Sequence, residues 1–450
     1  MRRTDESQCV NIALNFGRPA TPSPAMTFRS RALLFAGALG ATSATTAGAQ
    51  TSGRPVLPDS ARIRADIAYL ASDRLEGRTT GTPGNDSAAA YIARRYQALG
   101  LAPLTAATYL QPFVAHPATS VHSSPPVELR SQNVAAMLPG TDPRLRSEYV
   151  IIGAHFDHLG RSTVGALDPD AGPVIRNGAD DNASGTAAVL ELARLFKDAR
   201  PRRSLIFLNF SGEEQGLLGS SYFADHSPVA LDSVVAMVNF DMVGRLRNDR
   251  LIVYGVATAT ELPAILDSAN GGRVRIAAQG DGYGPSDQTS FYAKNVPVLH
   301  FFTDLHDDYH KASDHVEKIN AGGEATVVGI AGRVIRAIAD RPTRLTFVRS
   351  AAPPPASAGT GSNVYLGTIP DMAGGDVKGL RVTGVRAGSP ADSGGLKAGD
   401  VVVELGGVPV VDLQTYSDAL YAHKPGDEVR IVVLRDGKRV TLAVKLGKRG

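Results

Sequence analysis

The stretch Tyr149-Val150-Ile151-Ile152-Gly153-Ala154-His155-Phe156-Asp157 decides the fold. Its apolar run is short and almost continuous, so it reads as a strand buried on both faces, and it delivers an imidazole and a carboxylate at its carboxyl end. Working outward, Thr186 to Phe196 has helical periodicity, Ser204 to Phe210 is a second apolar run, Gly219 to Asp225 is helical, and Val234 to Asp241 is a third run. Buried strands alternating with helices predict an α/β fold, with a mostly parallel mixed sheet covered by helices on both faces. In such sheets ligands gather at the carboxyl ends of the strands.

Those ends carry the chemistry. The first run closes on His155 and Asp157, the second leads into Glu213 and Glu214, and the third ends at Asp241. Between the first two, Gly178-Ala179-Asp180-Asp181-Asn182-Ala183-Ser184-Gly185 precedes a helix. Each piece alone has a bland reading: His-x-Asp as a hydrogen-bonded pair, Asp-Asp as a helix cap, Glu-Glu as a solvated turn. Together they crowd carboxylates at one end of one sheet, and such crowding calls for a cation.

The set resembles the M28 zinc peptidases, which include bacterial aminopeptidases. The stretches that carry the resemblance are His155-Phe156-Asp157, Gly178 to Gly185, Gly212-Glu213-Glu214-Gln215-Gly216-Leu217-Leu218-Gly219, Asn239-Phe240-Asp241-Met242-Val243-Gly244 and Tyr309-His310, in the family's order over roughly residues 59 to 340. The resemblance implies two zinc ions per chain. Asp180 is expected to bridge them, one ion being held also by His155 and Asp241 and the other by Glu214 and His310. It further implies hydrolysis of peptide bonds, in aminopeptidase fashion, by a hydroxide held between the ions with Glu213 as general base. Asp157 is expected to orient His155. A cis peptide is expected between Asp180 and Asp181, and Tyr283, in a loop like the one near the family's substrate carbonyl, is a candidate oxyanion donor.

His158, His300, His306 and His315 are read as surface or supporting residues. Asp314 is read either as a support for His310 or as a cap of the following turn. The stretch between Phe113 and Gln132 is too short for the family's protease-associated insertion. Two other functions stay open: a glutaminyl-cyclase-like acyl transfer on the same fold, with one zinc, and a peptide-binding scaffold without catalysis.

The 450 residues are too many for one ordinary core, and 43% hydrophobic with 20% charged residues argues against wholesale disorder. Residues 1–49 read as a leader: Arg29 and Arg31, an apolar small-residue run from Ala32, then Ala47-Gly48-Ala49 as a cleavage site. The run is too short and too weakly apolar for a stable membrane span, and it predicts export to the periplasm or outside, with Met1 and Met26 as alternative starts. The leader holds five of the 47 basic and two of the 44 acidic residues, so the remainder carries 42 of each. That balance weighs against a nucleic-acid partner. The single cysteine, Cys9, also lies in the leader. Any metal in the mature chain must therefore be held by nitrogen and oxygen.

Residues 50–345 form the peptidase-like domain in this reading, 346–362 a Pro/Gly/Ser linker around Pro353-Pro354-Pro355, and 363–450 a small β-rich domain. The last of these resembles a PDZ domain of the bacterial protease type, through Tyr365-Leu366-Gly367, Ser389-Pro390-Ala391 and Gly395-Leu396-Lys397-Ala398-Gly399-Asp400. The resemblance implies a groove for a peptide C-terminus, beside the peptide substrate of the first domain.

Overall fold

The computed structural model describes residues 57–448 except 106–107, 116–127, 164, 285, 350–363, 371–377, 386–387, 412–414, 417–418 and 421. The leader, Cys9 and most of the linker lie outside the described residues.

Among the described residues the first domain has nine strands: β1 (Ala102–Pro103), β2 (Leu110–Ala115), β3 (Leu129–Leu138), β4 (Tyr149–His155), β5 (Ser204–Phe210), β6 (Val234–Phe240), β7 (Arg250–Tyr254), β8 (Arg275–Ala278) and β9 (Val298–Phe302). The order is β1-β3-β5-β4-β6-β9-β7-β8, with β2 also on β3. The centre, β5-β4-β6-β9, is parallel, and antiparallel pairs flank it through β3 on one side and β7 on the other. β2 and β3 pair directly over Leu110 to Ala115.

The central strands lack polar alternation because both faces are covered. In β4, Val150, Ile152 and Ala154 join one apolar cluster, which includes residues of α1 (Ser60–Leu70), α2 (Pro83–Ala98), α3 (Gly185–Phe196), α5 (Leu262–Asn270) and α7 (Ala321–Asp340). Ile151 faces the other way, into a cluster with Phe223 of α4 (Leu218–Asp225) and Phe291 of α6 (Gln288–Tyr292). Emptying a position such as Phe207 or Phe291 to alanine in packing of this kind costs about 3–5 kcal/mol.

Local signals set the helix starts. The Asp59 carboxylate accepts from the Ala61 and Arg62 amides at the head of α1, Thr82 caps α2 ahead of Pro83, and Asn320 accepts from the Gly323 amide to open α7. No described helix is long and apolar enough to cross a membrane.

The second domain has its own apolar cluster, drawn from residues 364–446 and including Val382, Leu405, Ile431 and Val433. Its antiparallel sheet runs β11 (Thr368–Pro370), β12 (Leu380–Val385), β13 (Val401–Leu405), β15 (Glu428–Arg435), β16 (Lys438–Lys445), with β14 (Val408–Pro409) on β13. A separate ladder joins β10 (Val364–Tyr365) to β17 (Gly447–Lys448). Asp436 and Gly437, both at positive φ, turn β15 into β16, as the Asp-Gly pair foretells.

Candidate metal centre

Strand order places the site. β4 lies between β5 and β6, so the chain leaves β4 through α3 to one side, and the step from β5 to β6 carries it back across β4. A crevice forms where the connections diverge, at the carboxyl end of β4. His155 is the last residue of β4, the segment Ser211 to Glu214 follows β5, and Asp241 follows β6.

His155 is buried and held by Asp157. Its Nδ1 lies 3.3 Å from the Asp157 carbonyl and 3.5 Å from Asp157 Oδ1. A proton on Nδ1 therefore leaves the Nε2 lone pair free on the crevice side. Asp157 does more than the sequence reading asked of it. Its two oxygens accept from the Glu213 and Glu214 amides, and Oδ2 also from the Thr80 hydroxyl, so one buried carboxylate fixes both the imidazole and the Glu-Glu turn.

Around His155 Nε2 stand Asp241 Oδ1 at 3.5 Å, Asp181 Oδ1 at 3.6 Å and Glu213 Oε2 at 3.9 Å. A second convergence lies beyond Asp181: His310 Nε2 is 3.1 Å from Asp181 Oδ2 and 3.2 Å from Glu214 Oε2. His310 Nδ1 donates to the Gly165 carbonyl at 2.9 Å, again leaving Nε2 for the crevice.

The residue between the two groups is Asp181, which corrects the expectation for Asp180. Asp180 faces away and is saturated. Its Oδ1 accepts from the Gly244 amide at 2.7 Å and the Ser184 hydroxyl at 3.0 Å, and its Oδ2 faces His306 Nε2 at 3.1 Å. Neighbouring side chains on this irregular turn point in different directions, and the turn, not the residue type, chooses which aspartate looks into the crevice. The cis peptide is likewise one place along, at Asp181–Asn182. Two glycines permit the turn. Gly178 has φ +56 with its missing Cβ 2.0 Å from the Asp181 carbonyl, and a Cβ on Gly185 would meet Asn182 Oδ1 at 2.3 Å.

His158 is neither at the surface nor remote. It is buried, with Nδ1 2.7 Å from Glu214 Oε1 and 3.8 Å from Asp181 Oδ2. His158 could be grouped with those two carboxylates as a ligand in place of His310. We favour His310, because the short His158 contact is an ordinary hydrogen bond that already occupies one Glu214 oxygen. His300 is buried too, with Asn239 Nδ2 donating to its Nδ1 at 3.2 Å, whereas His315 is exposed.

The electrostatics follow from burial. Glu213 is pushed well above the usual carboxylate range, chiefly by loss of water and then by Glu214 and Asp241, against the pull of His155. Asp181 is raised by burial and by Glu214. In Glu214 burial also acts upward, but His310 and His158 outweigh it and hold the group low. His155 and His310 are both raised, because neighbouring carboxylates overcome the burial that disfavours their charge. Beneath the site lies Arg78, fully buried, its guanidinium donating to the carbonyls of Phe156, Leu70, Asn177 and Gly178. Burial lowers it to about 10, so it is a permanent cation under the acidic cluster.

These residues fit zinc. His155 Nε2 and Asp241 Oδ1 are buried without a hydrogen-bond partner, yet face each other at 3.5 Å. Donors at about 2.0–2.2 Å around a tetrahedral ion stand roughly 3.4 Å apart, close to the spacing in both groups. The donor set is nitrogen and oxygen throughout.

Tyr283 is half-buried and packs edge-on against Tyr292, with ring centroids 4.7 Å apart. No described contact joins it to the acidic cluster. Nearby Asp287, which sequence reasoning passed over, is a buried carboxyl that burial pushes up to about 7.

Comparison with known proteins bears on the two domains and their folds. Residues 133–335, from β3 into α7, match the model of peptidase family M28, and residues 361–446 match that of the PDZ domain. Residues 133–335 belong to peptidase family M28. A probable zinc metalloprotease of Leptosphaeria maculans is 30% identical over 237 residues, 51% of each chain. The chain thus spans about half the length of that curated relative. Among solved structures, a zinc aminopeptidase from Bacillus subtilis superimposes with TM-score 0.51 at 15% identity, over 66% of this chain and 100% of that one. A glutaminyl cyclase from Bacteroides thetaiotaomicron gives 0.51 at 16%, over 62% and 98%. At such identities the likeness is one of fold, and the fold of the M28 domain is that of the zinc exopeptidases.

Proposed function

We propose that this chain is an exported two-zinc metallopeptidase that removes residues from the amino end of peptides. The observation that carries the reading is the pair of donor groups meeting at the buried Asp181: His155 and Asp241 on one side, Glu214 and His310 on the other. When bound there, zinc supplies Lewis-acid polarisation of the scissile carbonyl and makes water acidic enough to attack near neutral pH.

The chain's own residues do the rest. Glu213 borders the His155 group with its carboxylate oxygen, and burial raises its proton affinity, which suits a base that must work near neutrality. It accepts the proton of the attacking water as the new C–O bond forms, then delivers that proton to the leaving amine as the C–N bond breaks. Asp157 keeps His155 in one tautomer and fixes the Glu213 amide, so base and imidazole keep their spacing. The Asp181 carboxylate, one oxygen toward each histidine, sets the distance between the two halves.

The Bacillus aminopeptidase supports amino-terminal cleavage through its shared fold. The Bacteroides cyclase makes acyl transfer from an N-terminal glutamine the competing reading. The unpaired atoms of His155 and Asp241 favour two metals over one, and with them hydrolysis. Purified protein is expected to hold nearly two zinc per chain and to cleave free-amine peptides but not acetylated ones. Equal cleavage of both would refute the amino-terminal reading, and release of pyroglutamyl product without hydrolysis would establish the cyclase. Glu213→Gln is expected to keep its zinc while turnover drops about 10²–10⁴-fold. Unchanged turnover would remove it as the base. The PDZ domain is proposed to hold a peptide C-terminus by strand addition.

A further inference from the structure

Arg245 lies outside both donor groups, yet its guanidinium holds the backbone from which two of the ligands project. It follows β6, four residues after Asp241. Its Nη1 donates to Asp308 Oδ2 at 3.1 Å and its Nη2 to Asp314 Oδ1 at 2.7 Å. Asp308 and Asp314 bracket the turn that carries His310. Asp314 is fully buried, and its other oxygen accepts the amides of Asp180 at 2.8 Å and Asp181 at 3.2 Å. One cation therefore closes the His310 turn at both ends and, through Asp314, fixes the backbone of Asp181.

The arrangement is one-sided. His155 is oriented by Asp157, and the Asp241 amide donates to the Phe301 carbonyl on the neighbouring strand, so neither depends on Arg245. We infer that Arg245 is a positioning residue that sets zinc affinity mainly in the half of the site formed by Glu214 and His310, whose turn it closes at both ends, the His155–Asp241 half feeling it only through the shared Asp181. The inference rests on the two-zinc reading above. Loss of a partner that orients ligands typically weakens a metal by about 10–100-fold. Lysine cannot replace the fork, because a single ammonium does not span two carboxylates in the same fixed geometry.

The test is a zinc titration of metal-free full-length protein, with bound metal measured directly. The unaltered chain is expected to take up two equivalents. Arg245→Gln is expected to weaken one equivalent about 10–100-fold and the other less than about 3-fold, with cooperative unfolding retained. Arg245→Lys is expected to fall between. Asp308→Asn, which takes the charge from one arm of the clamp, is expected to weaken the same equivalent to a smaller degree, and it decides the matter should Arg245→Gln not fold. Two equivalents of undiminished affinity in a folded variant, equal weakening of both, or failure of both variants to fold would overturn the inference. If the variants behave as expected while the unaltered chain, loaded with two zinc, cleaves no peptide, the proposed function fails and the role of Arg245 stands.

Discussion

The two neighbouring aspartates offer the sharpest trial of the site. In Asp181→Asn one oxygen becomes an amide that cannot accept, so the residue can serve one half of the site but not both, and a negative charge is lost between His155 and His310. Loss of a shared ligand should reduce kcat/KM by at least about 10³-fold, near 4 kcal/mol of transition-state stabilisation, with one zinc bound much more weakly. Stability of the metal-free chain should change little or rise, since Asp181 is raised by burial and by Glu214. Asp180→Asn should behave in the opposite way. Its oxygens serve Gly244, Ser184 and His306, and the new amide would oppose a donor on His306 unless that ring changed tautomer. His306 Nδ1 already accepts the Asp308 amide, so the tautomer change breaks a bond in turn. The expected cost is about 1–3 kcal/mol of stability, with activity retained within about tenfold. Aminoacyl nitroanilide hydrolysis, zinc content and urea unfolding of both variants separate the cases. Zinc loss and inactivity in Asp180→Asn, with Asp181→Asn active, would refute the geometry.

Arg78→Lys should lower the unfolding free energy by about 3–5 kcal/mol, because one ammonium cannot serve four separated carbonyls and leaves at least one or two of them buried and unpaired. A urea midpoint equal to that of the unaltered chain would contradict this. His300 is lowered from 6.5 to about 4, mainly by burial, so below about pH 6.5 the unfolded chain takes the proton first and stability falls as pH drops toward 4. The shift allows up to about 3 kcal/mol, and His300→Gln should lose that part of the slope between pH 7 and 4.5, as read by unfolding at each pH. Parallel slopes would show that the imidazole is not held neutral. Because the apolar clusters of the two domains share no residue, a chain ending at Arg349 should fold and retain zinc. Loss of cooperative unfolding on truncation would tie the two together.

Much of this was legible in the sequence because it depends on local periodicity. Continuous apolar runs become the buried strands β4, β5 and β6, and the helix and strand bounds there shift by two residues at most. His155, Glu213, Glu214 and Asp241 could be found because strand ends in a parallel sheet meet at one edge, which needs no knowledge of side-chain direction. Strand order, and with it the place of His155 at the switch point, is not written in any one run.

Three assignments required the tertiary structure. Asp180 and Asp181 are the same residue type in adjacent positions, and only the path of the turn sends the second toward the histidines. His158 read as either a surface or a supporting residue, and only the fold decides for support, because its burial comes from chain that packs over it from elsewhere, including Gly178 and His310. Arg78 and Arg245 carry no motif at all. Their partners lie some 60 to 100 residues away, at Phe156, Asn177, Asp308 and Asp314. The sequence by itself determined which chemical groups arrive at the edge of the sheet, since periodicity and strand ends are local properties. Which carboxylate bridges, and what holds it there, was decided by contacts between distant segments that exist only once the chain has closed around the site.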